Sequence, residues 1–326
     1  MEPLRIGLIG AGGMGSFHAR TLATMPGVTV SVVADPVGDA AESLAAELDA
    51  VGMMDPMMLA TAGGVDGLVI ASPDETHAEL ALAAIELGTP VLCEKPLATT
   101  MSDCRRVIEA EATVGSRLLQ LGFMREYDLA HRQLQESIAQ LGRIHSLRCV
   151  HLNTYADQRT DAAIVNQSAV HDFHTIRFLS GADIVAVTAH VTRQESGGIR
   201  HLIVLCTLSS GAHATVEFDD HGFAYDVTVE VTAEKGSVLT GPQVRAIHRW
   251  NGQTQVNIGM DWFGRFADAY RLQNEIWVDS LRSGVTVGPS AWDGLAATAV
   301  VNAVFDSLEK GGSSSVSLPD RPSIYA

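Results

Sequence analysis

Lysine is almost missing from this chain: its 326 residues contain only Lys95, Lys235 and Lys310, and the rest of its 22 lysines and arginines are arginines. Lysine and arginine together number 22 against 38 aspartates and glutamates, a formal net charge of −16 with no basic stripe anywhere. That excludes a nucleic-acid binder and disfavours a polyanionic ligand, because phosphate backbones are held by clustered positive charge. Cysteine is scarce as well. Cys93, Cys104, Cys149 and Cys206 are too scattered for C-x-x-C pairs or a zinc pattern, which implies a reduced, cytoplasmic protein. No apolar run approaches about 18 residues, so no membrane span is expected. The N-terminus lacks a charged segment ahead of an apolar core, so no signal peptide is expected either.

What is present is a chain long enough for two domains, 46% hydrophobic, with one stretch around which the rest is organised. Leu4 to Ile9 is an apolar run of strand length, followed by Gly10, Gly12 and Gly15 in the spacing G-x-G-x-x-G. Gly13 to Met25 has helical periodicity, and a second β-branched run from Val28 to Ala34 ends at Asp35. Strand, glycine turn, helix, strand and acid in that order describe a dinucleotide site. Gly10 permits the tight turn, Gly12 lets a pyrophosphate approach the backbone, and Gly15 lets helix and strand pack closely. Gly13 and Met14 complete a loop whose free N–H groups face the anion. Asp35 lies where a carboxylate accepts hydrogen bonds from an adenosine ribose. A 2′-phosphate would be repelled there, and no arginine or lysine follows closely to offset it, so the expected cofactor is NAD rather than NADP.

Further on, Val37 to Leu48 reads as a helix, Asp66 to Ala71 as a buried strand, Glu75 to Leu87 as a helix and Pro90 to Cys93 as a short strand. This alternation implies right-handed crossovers and a parallel, doubly wound Rossmann sheet. Ligands in such sheets lie beyond the carboxyl ends of the strands, so Ser72 and Pro73 border the nicotinamide half of the cofactor. His77 reads as a surface or capping residue, with a cofactor contact as its alternative. Glu94-Lys95-Pro96 follows the short strand directly. Leu118 to Leu121 reads as the last parallel strand, and the domain boundary is expected at Gly122, giving an NAD-binding domain over 1–121 and an α+β domain over 122–326. In the latter, Arg143 to Thr154, Ile184 to Thr192, Leu202 to Leu208, Ala212 to Phe218 and Val227 to Thr232 read as strands of a large, mostly antiparallel open sheet. Helices over Phe266 to Arg282 and Ser290 to Lys310 precede a Gly/Ser-rich turn. Trp262 and Trp277 read as core or interface residues.

The chain resembles the Gfo/Idh/MocA oxidoreductases, and most closely their inositol dehydrogenase branch. The matching residues are GAGGMG at Gly10 to Gly15, ASPDETH at Ala71 to His77, EKP at Glu94 to Pro96, GFMREYD at Gly122 to Asp128, SAVHDF at Ser168 to Phe173, YDVTVEV at Tyr225 to Val231 and RFADAY at Arg265 to Tyr270. The resemblance implies an NAD-dependent oxidoreductase acting on a secondary alcohol of a polyol, cyclitol or sugar. It also implies a homo-oligomer, a dimer or tetramer, built through the outer face of the C-terminal sheet. Among cofactor contacts it adds His77, Glu94 and Lys95, with Lys95 hydrogen-bonding the reacting oxygen, and it makes His171 the catalytic histidine. An imidazole suits that task because it titrates near neutral pH. For substrate contacts it points to Met124, Arg125, His151, Asn153 and Tyr225. Of His151 and Asn153 only one is expected to point inward, because a strand alternates faces.

The chain also departs from that family. An Asp is usual four residues before the histidine and another acid three residues after it; here Gln167 and His174 stand in those places. On one helical turn Gln167 lies beside His171, where its amide can orient a hydroxyl or the imidazole but carries no charge. Asp172 is a substitute carboxylate by type, though on a helix it faces away from His171. His171 and His174 form an H-x-x-H without an apparent third ligand, and no metal is expected. Three other readings stay open: a keto-sugar reductase running the reverse reaction with the same residues, a redox-assisted glycosidase, and a non-catalytic protein that senses NAD or sugar.

Overall fold

A computed structural model describes residues 2–154, 159–240, 247–256 and 259–326. It divides into two compact units. Unit 1 comprises Met1–Met124, Tyr270–Thr298 and Pro319–Ala326; unit 2 comprises Arg125–Ala269 and Ala299–Leu318. The first segment of unit 1 ends two residues beyond the expected boundary at Gly122. The later segments of unit 1 come from the part of the chain that reading in order gives wholly to the second domain.

Unit 1 is built on strands β1 (Leu4–Ile9), β2 (Val28–Ala34), β3 (Val51–Met53), β4 (Gly67–Ile70), β5 (Val91–Cys93) and β6 (Leu119–Leu121). Helices α1 (Gly13–Ala23), α2 (Gly38–Leu48), α3 (Pro56–Ala62), α4 (His77–Glu86) and α5 (Met101–Val114) alternate with them. The strands form one sheet in the order β3-β2-β1-β4-β5-β6, every pair parallel. β4 and β5 are apolar and buried throughout because helices cover both faces of such a sheet. The chain runs outward from β1 to β3 and then returns to β4 on the other side of β1, so order reverses between β1 and β4. In open α/β sheets that crevice is where ligands bind. β3 and α3 do not appear in the reading above; β3 is three residues long and mostly exposed, leaving little hydrophobic pattern to detect.

Unit 2 begins with a 3-10 turn over Met124–Tyr127, whose first residue still belongs to unit 1, and continues into α6 (Leu129–Ile138). β7 (Ile144–Thr154) follows, then one turn of helix α7 (Asp161–Ala163), a π-helical stretch over Ile164–Ala169, and α8 (Val170–Ser180). Strands β8 (Ile184–Arg193), β9 (Ile199–Leu208), β10 (His213–Asp219), β11 (His221–Ala233) and β12 (Gly236–Leu239) follow. A hairpin, β13 (Ile247–Trp250) and β14 (Gln253–Val256), stands apart from them. Helices α9 (Trp262–Ser283) and α10 (Ala291–Lys310) each supply residues to both units, and β15 (Ser313–Ser315) falls in the Gly/Ser-rich segment read as a turn. β15 pairs with the edge strand β8, closing a seven-stranded sheet in the order β12-β11-β7-β10-β9-β8-β15. All its pairs are antiparallel except β7 with β10.

Along β7 the buried positions are Leu147, Cys149, His151 and Asn153. His151 and Asn153 therefore both point inward, correcting the expectation that only one does: residues two apart share a face of a strand. β11 carries a large bulge against β7, with His221 opposite Thr154 but Asp226 opposite Leu152. The extra residues turn Tyr225 into the interior at 5% exposure while leaving Phe223 80% exposed.

Candidate functional site

In unit 1 the glycine turn lies at the point where strand order reverses. Gly10 has φ +95°, and a Cβ there would lie 2.4 Å from the Ala71 carbonyl oxygen at the end of β4. A Cβ on Gly15 would lie 1.8 Å from the Gly10 oxygen. Both are thus required by the chain's own packing. Gly12 is different, because beyond its chain neighbours a Cβ there meets nothing within 4 Å among the described residues. The N-terminal turn of α1 has no side-chain cap and no acidic residue, so its N–H groups keep their attraction for an anion. At the end of β2, Asp35 accepts the Ala11 N–H at 2.7 Å and the Val37 N–H at 2.8 Å, which fixes its carboxylate beside the turn. These features fit a dinucleotide: a cradle without side chains, free helix N–H groups and a held acid.

Beyond β4 and β5 the same unit holds Ser72, Pro73, His77, Glu94 and Lys95. His77 is neither a surface nor a capping side chain. It is 1% exposed, and its ring bridges two carbonyl oxygens, Pro96 through Nδ1 at 2.7 Å and Ser72 through Nε2 at 2.9 Å. It ties the end of β4 to the Lys95–Pro96 segment, whose peptide bond is cis. Ser72 Oγ is 2.6 Å from Thr76 Oγ1. Glu94 is buried, and His18 Nε2 stands 2.9 Å from its Oε1. Burial acts to raise the Glu94 pKa, but the His18 hydrogen bond and the charges of His18, Lys95 and His77 outweigh it and hold the group below the usual value. Cys93 is fully buried; burial, followed by the charge of Glu94, pushes its thiol well above its ordinary range, so it is a structural thiol.

In unit 2 the structure brings Arg125, His151 and Asp172 together. Arg125 Nη1 donates to Asp172 Oδ1 at 2.5 Å, His151 Nδ1 lies 2.9 Å from Asp172 Oδ2, and Arg125 Nη2 lies 3.1 Å from the same Nδ1. All three residues are at most 2% exposed. For Asp172, burial raises the pKa but the charges of Arg125 and His151, with their hydrogen bonds, outweigh it and lower the pKa, so the carboxylate stays ionised. Burial dominates at His151 and lowers its pKa. Tyr225 packs edge-on to His151 with centroids 5.7 Å apart, and burial pushes its phenol up to about 12. Asn153 Nδ2 reaches Ser168 Oγ and Asp220 Oδ1 at 3.4 Å each, and Arg159 donates to the same Asp220 oxygen at 2.9 Å.

His171 is 6% exposed on α8. Gln167 is exposed and lies in the π-helical stretch, so the one α-helical turn that the sequence suggests between them is not what joins them. His174 Nε2 is 2.8 Å from Glu126 Oε1. Met124 is buried at the end of the first segment of unit 1. Sequence reasoning missed His18, Glu126, Asn274 and Asp220, and gave Asp172 no partner. The histidine is a regular helix position by pattern, and the others find their partners across tens to hundreds of residues of chain.

Comparison with known proteins gives the family. Residues 4–123 match a family described as "Oxidoreductase family, NAD-binding Rossmann fold", and residues 131–239 match the GFO/IDH/MocA C-terminal domain. The chain is 39% identical to inositol 2-dehydrogenase 1 of Saccharopolyspora erythraea over 99% of both chains. The chain belongs to the Gfo/Idh/MocA oxidoreductases. It is 37% identical to the inositol 2-dehydrogenase of Streptomyces avermitilis, covering 99% of this chain and 97% of that one. Among solved structures it resembles myo-inositol dehydrogenase from Lactobacillus casei in complex with NAD(H) and myo-inositol, with a TM-score of 0.94 and 25% identity, covering 99% of this chain and 100% of that one. As a member of that family this chain is an NAD-binding oxidoreductase. Among the described residues no helix is long and apolar enough to cross a membrane.

Proposed function

We propose that this member of the Gfo/Idh/MocA family is an NAD-dependent dehydrogenase of a ring secondary alcohol, with a cyclitol as substrate. The observation that carries the substrate class is the similarity, from end to end, to proteins named inositol 2-dehydrogenases. The glycine turn, Asp35 and the first turn of α1 hold the dinucleotide. Bound NAD supplies the hydride acceptor. Lys95 donates to the reacting oxygen and stabilises developing negative charge on it, while His171 takes the hydroxyl proton, aided by Gln167 as an orienting amide. Polyol recognition needs fixed donors and acceptors, and Arg125, His151, Asn153 and Tyr225 supply a set locked by their own hydrogen bonds. Since Arg125 and His151 are already paired through Asp172, they shape the substrate surface as much as they touch it. The exposed face of the seven-stranded sheet, with Leu205 48% exposed, joins copies of this chain, which analytical ultracentrifugation of the whole protein tests.

The direct test is a panel of inositols, amino-cyclitols and sugars followed by NADH absorbance. At least one cyclitol should give turnover, and Lys95→Ala should cost about 10²-fold or more in kcat while NADH binding changes by a few fold. Turnover on sugars alone would replace the cyclitol reading. Near-normal rates in Lys95→Ala would place the chemistry elsewhere.

A further inference from the structure

The Lys95 segment is braced from beneath by side chains that a dehydrogenase reaction does not itself call for. His18 projects from α1, the helix that begins at the glycine turn, and is 0% exposed. Its Nε2 meets Glu94 Oε1 at 2.9 Å and its Nδ1 meets Asn274 Oδ1 on α9 at 2.9 Å. Asn274 is also fully buried, and its Nδ2 has no hydrogen-bond partner among the described residues. The other carboxylate oxygen of Glu94, Oε2, accepts the main-chain N–H of Lys95 at 3.3 Å. Gly122 makes room for the carboxylate: a Cβ there would lie 2.9 Å from Glu94 Cδ and Oε2. From the other side His77 holds the Pro96 carbonyl at 2.7 Å.

Resting on the reading of Lys95 above, we propose that His18, oriented by Asn274, is a positioning residue that acts through the Glu94 carboxylate to fix Lys95 against the substrate oxygen. The chemistry of the donors supports this. With the Asn274 amide turned so that Nδ2–H donates to Nδ1, the imidazole is neutral and Nε2–H points at Glu94; with the amide reversed the ring carries both protons. In either case Nε2–H donates to Glu94, so the bond to the carboxylate survives both arrangements. A charge-assisted bond of this kind holds its acceptor more tightly than a neutral one. The carboxylate in turn stays ionised despite its burial, and its negative charge lies one residue from the ammonium it serves. Because α1 begins within the glycine turn and carries His18 on its second turn, the residue that places Lys95 is built on the same helix as the pyrophosphate cradle.

Two substitutions separate positioning from packing. His18→Leu fills the space but removes the donor; His18→Gln keeps an N–H near the place of Nε2. In His18→Leu kcat should fall about 10- to 100-fold, the scale seen when orienting partners of active-site groups are removed, with NADH affinity changed by a few fold at most. His18→Gln should recover most of that loss. The deciding measurement is the same substitution in a Lys95→Ala background, where His18→Leu should cost no further turnover because the group it positions is gone. Glu94→Gln serves as a second route if His18→Leu does not fold: it should lower kcat to a similar extent and likewise add nothing to Lys95→Ala. Equal loss in His18→Leu and His18→Gln, or multiplicative loss on top of Lys95→Ala, overturns the positioning role while leaving Lys95 in place. Normal turnover in Lys95→Ala itself instead overturns the functional reading and this proposal with it.

Discussion

Removing the Asp172 carboxylate tests whether the buried network of unit 2 is a structural keystone. In Asp172→Ala the guanidinium of Arg125 and the ring of His151, each 2% exposed, lose their counter-charge without gaining water. Breaking a buried pair by deleting one partner costs about 3–5 kcal/mol, because the remaining charge stays desolvated. That is a large share of the roughly 5–15 kcal/mol by which a domain is stable. The exposed pair Arg148–Glu217 supplies the contrast, with a similar N–O distance of 2.9 Å but side chains 54% and 33% exposed. Solvent screens it, and Arg148→Ala should cost about 1 kcal/mol at most. At about 2–4 °C per kcal/mol for a unit of this size, Asp172→Ala should melt roughly 6–20 °C below wild type and Arg148→Ala no more than about 4 °C below. Circular dichroism melts of both variants at neutral pH, with NADH binding as a check that unit 1 is intact, measure the difference. Equal melting shifts in the two variants would show that burial of the network does not set its energetic weight.

Cofactor choice should follow the fixed carboxylate of Asp35: wild type should prefer NAD, and Asp35→Ser with an added basic neighbour should shift kcat/KM toward NADP. Equal efficiency with both cofactors in wild type would remove the repulsion argument. At position 167 an acid should favour a protonated His171 by charge, so Gln167→Asp should move the rising limb of the pH profile for alcohol oxidation to higher pH, and an unchanged limb would uncouple the two residues. Asp128 should contribute to acid stability, beside Asp172 and Glu94, whose carboxyls are also held low. Asp128 is buried against Arg265 at 2.6 Å and His131 at 2.6 Å, and although burial raises its pKa, these bonds hold it well below the ordinary 3.8. A carboxyl depressed on folding stabilises the native state above its unfolded pKa and loses that contribution as pH falls through its folded value. His131, lowered by burial, adds a loss as pH drops below its ordinary 6.5, because the unfolded ring then takes a proton that the folded one resists. Melting temperature should therefore decline in two stages, one below about pH 6.5 and one below about pH 3.8, and Asp128→Asn should blunt the lower stage.

Much of unit 1 was legible in the sequence, because its information is local. The strand–glycine turn–helix–strand–acid order is compressed into Leu4 to Asp35, and buried parallel strands announce themselves as apolar runs. The type of most strands in unit 2 was legible for the same reason, since period-two patterns and glycine turns need no knowledge of the partner strand. Errors came where local pattern carries no information. The three-residue strands β3 and β15 are too short to show a period, and the β11 bulge is defined only against β7. The π-helical stretch reads as ordinary helix until its hydrogen bonds are seen.

The sequence by itself determined the strand–glycine turn–helix unit, the acid at the end of its second strand and the parallel sheet behind them. Only the tertiary structure decided what the buried polar side chains are bonded to. Arg125 is 47 residues from Asp172, and His18 is 76 from Glu94 and 256 from Asn274, distances over which no periodicity connects a charge to its partner. Burial then made those pairings obligatory, because a polar group taken out of water without a partner is costly. In that way His77 became a brace rather than a surface residue, and Arg125 and His151 became a locked pair rather than free donors.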